Sequence, residues 1–138
     1  MASQTQEQDR APSTSPAHAD AQLLVQLAEL GQSMRVDRGQ ALLWKHRENE
    51  GLTYEQFEAT YAIDSDEAVA IINVMKWYET VGTLVKQGLL DRGLVLDWLW
   101  VAGIWDMCRP IAMGQRERLG QAGIWENFEA LAAAPPSG

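Results

Sequence analysis

An all-α fold is predicted by three observations. Apolar residues recur at three- and four-residue spacings through most of the chain. Ser, Thr and Asp stand at the starts of those periodic stretches, and glycines at their ends. No alternation of apolar and polar residues is long enough to make a useful strand. The chain has 138 residues, 46% of them hydrophobic, enough for one domain with a real core. The expected architecture is a helical bundle of five to seven helices over residues 19–134, built on a central αα-hairpin. Residues 1–18 are rich in Ser, Thr, Gln, Pro and Ala and are expected to be a disordered tail, with a similar disordered end at 135–138.

Asp20 is placed to cap a first helix reaching about Gly31, with Leu23, Leu24, Leu27 and Leu30 on one stripe. Gly31 and Ser33 predict a break, with Ser33 as the next N-cap. A second helix is expected from Met34 to about Asn49. Its stripe is weak: Met34, Arg38, Ala41, Leu42 and Lys45, with Trp44 to one side and Gly39 inside. A single bent helix across both segments is the alternative. After Gly51, Thr53 and Gln56 form a capping-box pattern opening a short helix over residues 54–61.

The main helix is predicted over about Ser65 to Gln87, opened by acids that favour the positive helix end. A calcium loop is excluded there because the DxDxDG spacing and the distal Glu are missing. Ile71, Ile72, Val74, Met75, Tyr78, Val81, Gly82 and Val85 form its broad apolar face. Glu79 lies inside that face, and Trp77 beside the polar stripe, half exposed or covered by another segment. Gly88 suits a left-handed helix end, and Asp91 caps the next helix, about Arg92 to Trp100. A further helix is expected from about Ala102 to Leu119, separate or continuous, with a kink or restart near Asp106 caused by Pro110. Arg116 falls on the same stripe as Trp105, Cys108 and Ala112. A last helix over about Ile124 to Ala133 presents Ile124, Phe128 and Leu131.

The ordered set Asn73, Trp77-Tyr78-Glu79, Gly88-Leu89-Leu90-Asp91, Trp105, Pro110-Ile111 with Arg116, and Phe128-Glu129-Ala130-Leu131 resembles the bacterial and archaeal family catalogued as domain of unknown function 4760. The resemblance covers residues 69–131 and, more faintly, the N-terminal helices. It implies no activity. Many family members carry an N-terminal membrane-spanning helix, and this sequence departs from them by showing no such run.

The formal net charge of −8 disfavours nucleic acid as a partner, since phosphate backbones are repelled. It equally opposes a third reading, a regulator lying on a membrane surface, because anionic lipids attract basic segments. The single cysteine, Cys108, allows no intrachain disulfide, and its apolar neighbours predict a buried, inert thiol. No secretory signal and no run long enough for a transmembrane segment is found, so a cytoplasmic location is expected. Metal sites, di-iron signatures, phosphate loops and nucleophile elbows are absent from the sequence, so no cofactor and no catalytic residue is assigned.

Two constellations remain. Glu79 and Arg116 are charges at positions whose neighbours look buried, and an unpaired buried charge is costly. They are expected to form a structural ion pair, with Arg109 as the substitute partner. Of Trp98 and Trp100, one is expected in the core and the other in a dimer contact or under the N-terminal helices. Trp98 and Trp100, two apart, face different directions. With Trp77 they form the candidate interface, since aromatic residues are enriched at interface centres. The sequence therefore points to a non-enzymatic protein-interaction or self-association module, with a protein partner or homo-oligomer expected. The rival is a ligand-binding protein or enzyme with a pocket near Glu79, Arg116 and the cluster of Trp98, Trp100 and Trp105.

Overall fold

The computed structural model describes residues 18–133; of the expected tail over 1–18 only His18 is described, as the first residue of a helix, and the expected end over 135–138 lies outside the described residues. Seven α-helices occur among the described residues, with no strand. They are α1 His18–Ser33, α2 Val36–Glu48, α3 Tyr54–Thr60, α4 Asp66–Lys86, α5 Arg92–Trp98, α6 Val101–Leu119 and α7 Glu126–Ala132.

Of the caps read from the sequence, those at Thr53 and Asp91 and the helix end at Gly88 are in place, whereas Asp20 lies within the first turn of α1. Thr53 Oγ1 accepts from the Gln56 amide while Gln56 Oε1 accepts from the Thr53 amide, closing the capping box of α3. Ser65 Oγ accepts from the Ala68 amide to start α4. Asp91 Oδ2 accepts from the Leu94 amide at 2.8 Å to start α5. Gly88, at φ 74°, ends α4 in a Schellman turn: the Gly88 amide donates to Val85 and the Leu89 amide to Leu84.

α4 is the centre of the bundle. It packs mainly against α2 on one side and α7 on the other, while α3 lies on α6. Two glycines set these approaches. A Cβ on Gly39 of α2 would run into the Ala70 carbonyl, and one on Gly82 of α4 would run into the Asn127 carbonyl. Gly39 therefore stands where two helices meet, and its presence in α2 reflects close packing. Between these contacts Ile71, Val74, Met75, Tyr78 and Val81 are buried, facing Leu43, Val95, Cys108, Ile111 and Phe128 across the core.

Several boundaries differ from expectation. The first break falls at Arg35, held left-handed at φ 57°, and not at Gly31 or Ser33. Gly31 stays helical, with the Trp77 indole close against it, and Ser33 caps nothing: Arg35 is the N-cap of α2, without a side-chain cap. The buried face of α2 is Val36, Gly39 and Leu43, one position off the expected stripe. As expected in one of the two alternatives, the hairpin's second arm is broken, at Leu99 and Trp100, so α5 and α6 are separate. Conversely, α6 runs through Pro110 without a restart.

Candidate functional site

Glu79, Gly82 and Thr83 share one face of α4, three and four residues apart. That face receives the first turn of α7. The N-cap residue of α7, Trp125, is left-handed at φ 61° and gives no side-chain cap. Glu79 supplies one from the neighbouring helix: its Oε1 accepts from the amides of Asn127 at 3.1 Å and Phe128 at 2.9 Å. A carboxylate here satisfies amides that have no intrahelical partner and meets the positive end of the helix. Asn127 Nδ2 then donates to Thr83 Oγ1 at 3.0 Å, and the Thr83 hydroxyl donates to the Glu79 carbonyl.

The structure does not pair Glu79 with Arg116. Arg116 Nε donates to the Ile124 carbonyl at 2.8 Å, and its guanidinium lies 5.9 Å from the Trp105 ring centre. Nη2 sits 2.9 Å from Glu129 Oε1, an ion pair out of line for a hydrogen bond. Both charges secure α7, but at different points. The helix N-terminus takes the place at Glu79 that the sequence reading assigned to arginine. Arg109, the substitute partner, is exposed.

The tryptophans divide three ways. Trp77 is 4% exposed and so is not interface: α1 covers it, and its Nε1 donates to the Leu27 carbonyl at 2.8 Å. Trp105 is half-buried, edge-on to Phe128. Trp98 remains 37% exposed, its ring edge-on to Trp77 at 5.6 Å. Trp100 is 56% exposed, lies across Gly103, and meets the 45% exposed Trp44 at 6.0 Å. The Arg47 guanidinium sits 5.6 Å from the Trp44 ring centre and 5.7 Å from that of Trp100. Trp44 was missing from the sequence-predicted interface. Its position off the buried face of α2 is the signal that marks it.

Among the described residues, neither Glu79 nor Arg116 lines any of three surface clefts. The first, about 380 Å³, lies between α3 and the first half of α4. The second, beside the Trp44–Trp100 pair, is lined in part by Arg47, Glu50 and Asp106. Among the described residues no three His, Cys, Asp or Glu side chains gather as a metal site, and no helix is long and apolar enough to cross a membrane.

Two buried groups are perturbed. Burial pushes the Cys108 thiol up to about 12 from its ordinary 9.0. Burial likewise pushes Tyr78 up to about 12 from 10.0, against the opposing hydrogen bond donated by Gln40. Each group holds its proton in the folded state at pH values where the unfolded chain has released it. Their contribution to stability is therefore fully present below the unfolded values and falls as pH rises past about 9 for Cys108 and about 10 for Tyr78, at up to about 1.4 kcal/mol per pH unit for each group. Urea unfolding at pH 8 and pH 10.5 checks the sign. At neutral pH, thiol reagents should modify Cys108 only as fast as the protein opens.

No curated protein and no solved structure matches the chain. One family model does match, over residues 16–134, and its description is "Domain of unknown function (DUF4760)". That span includes all seven helices and every residue on which the sequence resemblance rests. The chain therefore belongs to the DUF4760 family.

Proposed function

We propose that the chain is a non-enzymatic self-association module that pairs with a second copy through the face bearing Trp44 and Trp100. One observation carries this reading: two tryptophans packed on each other, Trp44 and Trp100, stay 45% and 56% exposed beside a core that buries Trp77. Tryptophan and arginine are the residues most enriched at binding hot spots. Arg47, held against both rings, forms an ordered platform that has little freedom left to lose on binding. Charge favours a second copy. Arg47 shares a cleft with Glu50 and Asp106, so a two-fold axis lets each copy's arginine meet the other's acids.

The charged residues a catalytic reading would use, Glu79 and Arg116, are committed to holding α7. The net charge of −8 and a lone buried thiol fit a reducing bacterial cytoplasm without nucleic-acid partners. Sedimentation equilibrium tests the reading at about 100 µM chain, where any dimer with a micromolar Kd is well populated. The wild type should sediment as a dimer, and Trp44→Ser and Trp100→Ser as monomers with unchanged helical circular dichroism. A monomeric wild type, or variants that still dimerise, overturns it.

A further inference from the structure

We propose that the cleft between α3 and α4 binds a small amphipathic carboxylate, its apolar body within the cleft and its carboxylate on Lys76. The site lies apart from the tryptophan face, and the inference stands without the self-association reading.

Phe57, Tyr54, Val69 and Ile72 give the cleft apolar walls, and Ile63 stands at its edge, 94% exposed. Val69 is 46% exposed although α4 is otherwise the most buried helix. Covering such apolar surface is favourable, and about 380 Å³ falls within the roughly 300–1,000 Å³ typical of small-molecule sites.

The polar groups of the lining select the ligand's charge. Its one acid, Glu58, is already neutralised by Arg118 in an ion pair. Gln115 Oε1 accepts from the Trp125 indole at 2.6 Å, which leaves its NH2 as the spare half of the amide. The Lys76 ammonium has no ion pair or hydrogen bond among the described residues. An ammonium and an amide NH2 are both donors, and a carboxylate accepts from both. A cationic ligand would meet Lys76 with repulsion.

Isothermal titration calorimetry of the full chain with octanoate, and with 1-octanol as the uncharged comparator, tests the assignment. Octanoate should bind with one-to-one stoichiometry, about tenfold tighter than octanol, the weight of one charge-assisted hydrogen bond. Lys76→Gln, at an exposed position, should erase that difference and leave octanol binding unchanged. Val69→Asp should abolish octanoate binding while circular dichroism stays native. Trp44→Ser should leave binding intact, so this result is independent of the dimer. No octanoate binding in the millimolar range, equal affinity for octanoate and octanol, or full affinity in Lys76→Gln overturns the proposal.

Discussion

Replacing Phe128 with alanine is expected to destabilise the fold by about 3–5 kcal/mol, the range for truncating a buried aromatic residue. The Phe128 side chain is completely buried. It stacks on Tyr78 with ring centres 4.9 Å apart and meets Trp105 edge-on at 5.0 Å. Each such pair adds about 0.5–1.5 kcal/mol beyond the area it buries. α7 has seven residues, too few for helicity on its own, so its order depends on what Phe128 and Leu131 bury. Urea unfolding measures the loss. Hydrogen exchange should place the weakened amides in α7 first. Phe128→Leu keeps most of the volume and should cost clearly less. A loss below about 1 kcal/mol for the alanine variant would mean that α7 is not part of the core.

The second large effect is at Glu79. Glu79→Ala should cost about 2–3 kcal/mol, because two backbone amides of a partly buried helix end lose a charged acceptor. Glu79→Gln keeps the length and one acceptor oxygen but loses the charge that favours the helix N-terminus. Its cost should be nearer 1 kcal/mol. The ranking, alanine worse than glutamine, distinguishes an acceptor aimed at amides from a plain ion pair, which either change would abolish alike. Thermal or urea unfolding of the two variants reads it directly.

What was legible in the sequence was local. Thr53, Asp91 and Gly88 each act on amides or carbonyls within a few residues, so their patterns announce the helix ends they make. The break at Leu99 and Trp100 has no Gly or Pro to announce it. There the Trp100 ring lies across Gly103, and packing overrides local helix preference. Trp77 lies on an ambiguous face of its helix, and only α1, distant in sequence, decides its burial.

Glu79 was legible as a charge in need of a partner, but the partner was not. A helix N-terminus has no side-chain signature. The available clue was negative: Trp125 stands where Ser, Thr, Asp or Asn would cap α7, so that helix needed its cap from elsewhere. Gly39 misled for a related reason. Within a helix, glycine reads as a weakness until the neighbouring backbone is placed against it. For the surface, the excess of tryptophan was visible from the start. Which rings stay exposed depended on the full packing, and Trp44 replaced Trp77.

Native mass spectrometry of the purified full chain tests the self-association reading most directly. The proposal predicts a dominant species at twice the chain mass of 15.4 kDa, lost in Trp44→Ser. A wild type that stays at the single-chain mass at every concentration sprayed would contradict it.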